Sequence, residues 1–453
     1  MKIKSSLFLL FLAGLFFLSG ACGLVYEIIW VRKLGLIFGN TTLAISTVLA
    51  VFMAGLGLGS LFFGKQIDKH GHPFAWYGFL EIGIGFFCFC TPWFWVFIEK
   101  FYVWVYQWLP LSFWPFSVFR FLLCFAFLFV PTFLMGGTLP VLTKFLIRDH
   151  RLTSRVVGVL YGINTLGAVV GVLGTSFYAI YVFGLQGTVL MTAGINILIG
   201  LIVLFVLRLK RFIFTGGNPA QDVVGLQGED DAIESPVESH VSETNLATIL
   251  LFAFALSGFT SMAYELCWTK VLALCLGSSV YSFAIMLASF LTGLALGSLL
   301  IGWLAKKIRV SFYLFGLLEL GIGLFALWGI NIFDQMPLYF LQLFAFFGQQ
   351  SVHLHIAKFV LASLVILPPA MCIGGTFAVV AHILNRLPEK TGQTIGRVYF
   401  INTLGCIAGS VLTGFVLIPW VGIYKTLLMM IVVNILLGLM ILCVAQKRFS
   451  SSE

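Results

Sequence analysis

The sequence predicts an all-α membrane protein in which twelve transmembrane helices form two parallel six-helix repeats. Hydrophobic residues make up 60% of the chain and its mean hydropathy is +1.07, whereas soluble domains contain roughly 45–50% apolar residues. Apolar runs of about 20 residues, the length that crosses roughly 30 Å of hydrocarbon, recur along the whole chain. These runs are continuous rather than alternating, which favours helices over a transmembrane barrel.

The apolar runs divide the chain into twelve predicted helices. Between the sixth and the seventh, residues 212–245 contain seven acidic residues and no Lys or Arg, a composition that cannot bury enough apolar surface to fold. The predicted domains are an N-terminal six-helix bundle (1–211), an acidic flexible cytoplasmic linker (212–245) and a C-terminal six-helix bundle (246–453). The helices are predicted to begin near Leu7, Thr42, Phe74, Phe116, Val156, Gly187, Leu246, Val280, Phe312, Lys358, Ile395 and Lys425.

An internal duplication is the strongest signal in the sequence. Position 27 corresponds to position 265, and the same offset of 238 residues relates many further pairs. Each repeat contains an even number of helices, so both repeats have the same orientation in the membrane. Other corresponding pairs are Gly59 and Gly297, Glu81 and Glu319, Arg120 and Lys358, Pro131 and Pro369, and Asn164 and Asn402.

The positions of the basic residues predict the orientation. If the N-terminus is cytoplasmic, most Lys and Arg residues fall at the inner ends of helices, as the positive-inside rule requires. We therefore expect a multi-pass protein of the cytoplasmic (inner) membrane with both termini in the cytoplasm. The first apolar run looks like a secretory signal, but Leu18–Gly20 recurs as Leu256–Gly258, so we expect this run to be retained as a helix.

Four charged residues are predicted inside the outer part of the membrane. A charge near the bilayer centre costs about 2.5–3.5 kcal/mol on insertion scales, so such residues usually find partners within the protein. We expect two ion pairs, Glu27 with Arg120 and Glu265 with Lys358. These pairs either hold each half together or form an outer gate or solute-binding set of charges.

Aromatic and amide side chains extend the candidate solute-binding set. Tyr26 and Trp30 flank Glu27, and Tyr264 and Trp268 flank Glu265. Carboxylates with aromatic faces suit an organic cation, while the alternative is an aromatic belt at the membrane interface. Two amides complete the candidate solute-binding set, Asn164 and Asn402. They either line the cavity or join helices.

Glu81 and Glu319 are the candidates for proton coupling. Each lies about eight residues into a helix and has no evident basic partner in the sequence. Low dielectric favours the neutral form of an unpaired carboxyl group, so each acid is a candidate proton carrier. The alternative is a protonated acid that is hydrogen-bonded to a neighbouring helix.

The stretch "GKQIDKHGH" predicts a family. Its Gly64, Asp68, Lys69 and Gly71 resemble the cytoplasmic loop signature of major facilitator superfamily transporters, with His72 where an arginine is usual. That resemblance implies a major-facilitator-like fold in which the first, fourth, seventh and tenth helices surround a central cavity.

Longer stretches carry a second resemblance. "SGACGLVYEIIWVRKLGLIFGN", "GGTLPVL" and "LYGINTLGAVVG" resemble the membrane region of bacterial spermidine-synthase-like membrane proteins, in which this region is often joined to a soluble aminopropyltransferase-type domain. The resemblance implies a connection with polyamines. The sequence has no glycine-rich nucleotide loop after a strand, so we do not expect aminopropyl transfer by this chain alone.

These observations favour a secondary transporter of a small polar or cationic, polyamine-like solute, with proton coupling as an option. The alternative is a non-transporting membrane anchor or partner of a separately encoded spermidine-synthase-like enzyme. We expect no catalytic residues, cofactor or metal site, because the nine cysteines and "HLH" show no ligand spacing. The expected partners are the lipid bilayer, the solute and that separate enzyme. Nucleic acid is not expected, because membrane orientation explains the net charge of +9.

Overall fold

A computed structural model defines the fold. It describes residues 5–38, 42–69, 71–108, 112–147, 149–213, 243–276, 280–305, 307–308, 310–333, 335–348, 352–385 and 388–450. Residues 214–242, most of the predicted linker, lie outside the described residues.

Long α-helices account for nearly all of the described chain. Apolar side chains face lipid as well as the interior, as expected for helices that cross a membrane. The helices are α1 (Ser5–Phe38), α2 (Thr42–Lys69), α3 (Pro73–Trp108), α4 (Phe113–Leu146), α5 (Thr153–Gly174), α6 (Ile180–Ile213), α7 (Glu243–Leu276), α8 (Val280–Leu304), α9 (Phe312–Phe333), the short α10 (Met336–Phe347), α11 (Val352–Leu384), α12 (Thr391–Leu412) and α13 (Ile423–Ser450).

The expected twelve crossings are present. Eleven described segments are long and apolar enough to span a membrane, and one of them, His150–Leu209, has 60 residues. A straight helix of that length would extend for about 90 Å, so this segment supplies two crossings. The two crossings meet at Gly184, whose φ of 66° interrupts the helix. Gly422, its counterpart in the second half, has a φ of 86° between α12 and α13.

The two halves contact each other through two corresponding helix pairs. α2 of the first half packs against α12, and α8 of the second half packs against α5. In the first pair Ser60 Oγ donates to the backbone oxygen of Gly396 (3.2 Å), and in the second Ser298 Oγ donates to that of Gly158 (3.0 Å). Ser60 corresponds to Ser298, and Gly158 to Gly396, under the offset of 238 residues, so the sequence repeat is also a repeat of packing.

Small residues bring helix backbones into direct contact. A Cβ at Gly59 of α2 would overlap the backbone of Phe133 in α4, and one at Gly297 of α8 would overlap Met371 in α11. Close approach of two backbones stabilises helices in lipid, where van der Waals packing between helices takes the place of the hydrophobic effect. The same approach is present at Gly405 of α12, where a Cβ would meet the backbone oxygen of Ala255 in α7.

We predict that Gly405→Ala lowers the melting temperature of the purified protein, because the added methyl group pushes α12 away from α7. Overpacking of this kind costs about 1–3 kcal/mol. The matched control is Gly14→Ala, because Gly14 has no atom near its added Cβ. Equal melting temperatures for the two variants would contradict this packing.

Candidate functional site

A buried hydrogen-bonded network joins three helices of the first half. Asn196 Nδ2 of α6 donates to Glu81 Oε2 of α3 at 2.6 Å, and Ser19 Oγ of α1 donates to Oε1 at 2.5 Å. Tyr26 Oη of α1 in turn donates to Asn196 Oδ1 at 2.9 Å. Glu81 is 0% exposed, so these bonds replace the water that the carboxyl group has lost.

The second half repeats this network with one difference. Tyr264 Oη donates to Asn434 Oδ1 (3.1 Å), and Asn434 Nδ2 donates to Glu319 Oε2 (2.8 Å). Ser257 lies beside Glu319, yet Glu319 Oε1 has no hydrogen-bond partner among the described residues. We refer to the two sets as the Glu81 network and the Glu319 network.

The two networks favour the hydrogen-bonding interpretation of Glu81 and Glu319 over proton carriage. Both acids are fully buried inside their own half and are bound to an amide of a neighbouring helix. Sequence reasoning missed Asn196 and Asn434. They are polar residues in apolar helices that correspond under the 238-residue offset, so applying the offset to every polar position would have found them.

The aromatic residues that flank Glu27 and Glu265 in the sequence pack within each half. The rings of Tyr26 and Trp30 stack with centroids 5.6 Å apart, and those of Tyr264 and Trp268 stack at 5.2 Å. All four rings are buried. The four-residue spacing places each Trp beside the Tyr of the preceding turn.

Among the described residues, Arg120 and Lys358 do not form the expected ion pairs, and the ion pairs present are Lys144–Asp68 and His150–Asp149. Arg120 Nη2 donates to Tyr102 Oη at 3.0 Å, which joins α4 to α3. Its guanidinium group also lies 4.6 Å from the centre of the Phe116 ring, one turn earlier on α4 itself.

Asn164 and Asn402 join helices. Asn164 Nδ2 of α5 donates to the backbone oxygen of Phe16 in α1 at 3.0 Å. Asn402 Nδ2 of α12 makes the corresponding bond to Phe254 in α7 at 3.1 Å. Of the two interpretations of these amides, the structure supports helix–helix bonding.

Glu27 of α1 and Glu265 of α7 are buried acids contributed by different halves, 5% and 6% exposed. The charge of Glu265 acts on Glu27 across the two halves. Within the described part of the chain neither carboxyl group makes a hydrogen bond or an ion pair. We call Glu27 and Glu265 the central carboxyl pair.

Aromatic rings from both halves meet around Phe377. The Phe377 ring of α11 is 5.4 Å from Tyr161 of α5, 5.8 Å from Tyr399 of α12 and 6.3 Å from Phe254 of α7. Tyr161 interacts electrostatically with Glu265, and Tyr399 with Glu27. Sequence reasoning did not single out this tyrosine pair, although positions 161 and 399 correspond under the offset.

The loop signature binds the second half at one end of the bundle. Asp68 forms an ion pair with Lys144 (2.8 Å) and accepts hydrogen bonds from the backbone nitrogens of Gly392 (3.1 Å) and Gln393 (2.7 Å). These nitrogens open α12, where the helix dipole favours a negative charge. Gly64 lets α2 approach, since its added Cβ would meet Gly392. We call this arrangement the Asp68 latch.

The other signature residues lie away from the latch contacts. Lys69 is exposed at the end of α2, and Gly71 is exposed with no atom near an added Cβ.

Three solved structures have the same architecture. A bacterial homologue of the iron transporter ferroportin, in an outward-facing state, gives a TM-score of 0.57 over 97% of this chain and 98% of that one. The fold is that of the major facilitator superfamily. The E. coli fucose:proton symporter (TM-score 0.53, 97% and 99% covered) and the human organic anion transporter TETRAN (0.53, 95% and 98%) agree. All three are 14% identical to this chain, so they establish its major facilitator fold alone.

The two sequence relatives carry the names of enzymes, the polyamine aminopropyltransferases. Polyamine aminopropyltransferase 1 of Ralstonia nicotianae is 25% identical over 198 residues, which cover 43% of this chain and 34% of that protein. Polyamine aminopropyltransferase 2 of the same organism is 25% identical over 180 residues, 39% and 32% respectively. The match spans about a third of the length of either relative. No family model matches the chain.

We predict that Asn196→Ala lowers the thermal stability of the protein, because it removes partners from both Glu81 and Tyr26. A buried polar group without a partner costs about 1–3 kcal/mol. The control is Asn331→Ala, since Asn331 is exposed and donates only to Leu327 of its own helix. Unchanged melting of the Asn196 variant would mean that this network is not needed for stability.

We predict that Asp68→Asn speeds amide hydrogen exchange over residues 388–396. The substitution removes the negative charge that holds Lys144 and the first amides of α12. Mass spectrometry of the exchanged peptides measures the effect. Asp149→Asn is the control, because Asp149 is half-exposed and bonds only within its own loop. Equal exchange in both variants would exclude the Asp68 latch as a stabilising contact.

Proposed function

We propose that this protein is a secondary transporter that carries a small cationic or polar solute by rocking its two halves. The observation that carries this proposal is the central carboxyl pair, which lies between the halves of a major facilitator fold. Glu27 comes from the first half and Glu265 from the second. A solute bound there contacts both halves at once, which is what alternating access around a fixed site requires.

The charge of the site favours a cation. Burying an ionised carboxyl group without a partner is costly, and the described ion pairs leave both central acids unpaired. A bound cation or a proton removes this cost. We therefore assign proton coupling to Glu27 and Glu265, where solute and proton compete for the same carboxyl groups. Solute binding then weakens as the pH falls, because protonation removes the negative charge.

The sequence relatives support a polyamine-like solute. Both are described as polyamine aminopropyltransferases, enzymes named for acting on polyamines. A polyamine is a flexible organic cation, and the two buried acids of the central carboxyl pair offer negative charge to it. The chemistry of the site and the names of the relatives agree on this solute class.

The Asp68 latch supports a rocking motion. It joins α2 of the first half to the start of α12 in the second, so that end of the bundle opens only when the ion pair and two backbone hydrogen bonds break. We propose that this end is cytoplasmic, with both termini in the cytoplasm, in the inner membrane. Residues 212–245 then form the cytoplasmic linker between the bundles 1–211 and 246–453.

A second candidate function is that of a membrane partner for a separately encoded synthase-like enzyme. Its support is the partial match to the aminopropyltransferases, which covers about a third of their length. Under this hypothesis the purified protein retains a synthase-like enzyme and gives no solute flux in vesicles. Flux in proteoliposomes that contain this protein alone favours the transporter.

We predict that Glu27→Gln and Glu265→Gln each abolish uptake of a radiolabelled polyamine into proteoliposomes. The amide keeps the size and hydrogen-bonding capacity of the side chain but removes its charge. The variants should still fold, because neither carboxyl group holds another group in place. Glu99→Gln is the control, since Glu99 is an exposed acid on α3.

Two results would contradict this proposal. Full uptake by both glutamine variants would show that the central carboxyl pair does not bind the solute. Absence of flux with polyamines, amino acids and other small cations in the wild-type protein would favour the membrane-partner function.

A further inference from the structure

The α5–α8 interface lacks the carboxylate that the Asp68 latch supplies to the α2–α12 interface. In the latch, Asp68 accepts hydrogen bonds from the first backbone nitrogens of α12 and pairs with Lys144. Under the offset of 238 residues Asp68 corresponds to Lys306, and residues 298–311 and 376–385 contain no Asp or Glu. The ends of α8 and α11 therefore supply no carboxylate to the start of α5.

The start of α5 repeats the start of α12 in other respects. Each helix follows a short 3₁₀ turn, and in neither does the preceding residue cap the helix with its side chain. The backbone nitrogens of Ser154 and Arg155 correspond to those of Gly392 and Gln393, which bind Asp68. The N-terminus of a helix favours a negative charge. The first turn of α5 thus has the donors of a latch without the acceptor.

The side chain of Ser154 points to the place that the missing carboxylate would occupy. A Cβ at Gly392, the counterpart of Ser154, would lie 3.1 Å from Asp68 Oδ1. Ser154 carries such a Cβ and is 1% exposed, and its Oγ has no hydrogen-bond partner among the described residues. A Cβ at Gly392 would also overlap Ile67. The counterpart of Ile67 is the smaller Ala305, which leaves more room beside Ser154.

The end of α11 brings a further donor to the same place. Asn385 Nδ2 donates to Thr153 Oγ1 at 2.9 Å, so the last turn of α11 lies beside the first turn of α5. One turn before Asn385, His382 corresponds to Lys144 of the latch. Its Nδ1 is buried and has no hydrogen-bond partner in the described part of the chain. A buried polar atom without a partner points to a missing ligand, because such atoms are nearly always hydrogen-bonded.

We propose that the start of α5 binds a phosphate group, whose oxygens take the place of the carboxylate of the latch. The phosphate accepts hydrogen bonds from the first backbone nitrogens of α5, from Ser154 Oγ and, when that nitrogen carries the proton, from His382 Nδ1. Asp149, the acid nearest to α5 in the sequence, bonds within its own loop. With the phosphate bound, both related interfaces are held by negative charge at a helix N-terminus.

The first test measures amide hydrogen exchange of the full-length protein in dodecyl maltoside, a detergent without phosphate. Inorganic phosphate is compared with chloride at equal ionic strength, so that screening is the same. At a phosphate concentration about ten times its Kd, exchange over residues 153–158 should slow by about tenfold. Exchange over residues 391–396 should not change, because Asp68 already binds the start of α12.

Ser154→Ala and His382→Phe test the two side chains while keeping most of their volume. Each should weaken phosphate binding by about tenfold, since it removes one hydrogen bond to a charged group. The matched controls are Ser46→Ala and His355→Phe, whose Oγ and Nδ1 also lack partners among the described residues but lie near the opposite ends of α2 and α11. Unchanged affinity in both site variants, or an equal loss in the controls, overturns the proposal.

Lipid nanodiscs identify the source of the phosphate group. Slowed exchange over residues 153–158 in nanodiscs of phosphatidylglycerol, without inorganic phosphate, identifies a lipid headgroup as the ligand. Slowing that needs added inorganic phosphate identifies the free anion. Unchanged exchange with both probes overturns the site. None of these measurements uses solute flux, so their outcome is independent of the proposed transport function.

Discussion

The absence of water in the hydrocarbon core is the constraint on which this structure depends. A polar group inside such a bundle must find its partner within the protein. Each half meets this requirement with a buried network in which an acid, an amide and a tyrosine join three helices. The central carboxyl pair is different, because its two acids have only each other across the interface. Unlike Glu81 and Glu319, these two acids are held by no amide among the described residues.

This distribution separates stability from function. The Glu81 and Glu319 networks lie inside rigid bundles and are closed to solvent, so their polar groups hold helices of one half together. Glu27 and Glu265 are contributed by different halves, so any motion of one half relative to the other would change their separation. Under the proposed transport function, a cation held between them would bind most tightly when the halves are close, which would couple binding to closure.

Much of the fold follows from the sequence. The twelve crossings and the repeat could be predicted because the length of an apolar run and a fixed offset between similar residues are both visible in the order of residues along the chain. The glycines of α2 and α8 lie where these helices contact their neighbours. The site was predicted only in part. The side of the helix on which a residue lies decides its partner, and the sequence alone does not fix that side. Arg120 contacts Tyr102 on α3 and forms no ion pair with Glu27 among the described residues. Tyr161 and Tyr399 correspond under the offset, but in an aromatic-rich chain this did not distinguish them from the other tyrosines.

The repeat also shows where the two halves have diverged. Asp68 and Lys144 correspond to Lys306 and His382 under the offset, so an ion pair of the same kind cannot form at the second pair of positions. One of the two related interfaces, α2 with α12, has a charged latch, while α5 with α8 relies on packing and on the bond from Ser298 to Gly158. A charge-assisted contact is strong when aligned and is lost within a small displacement, whereas packed surfaces can slide. Under the proposed rocking motion, the α2–α12 interface would therefore resist opening at that end more than α5–α8 does.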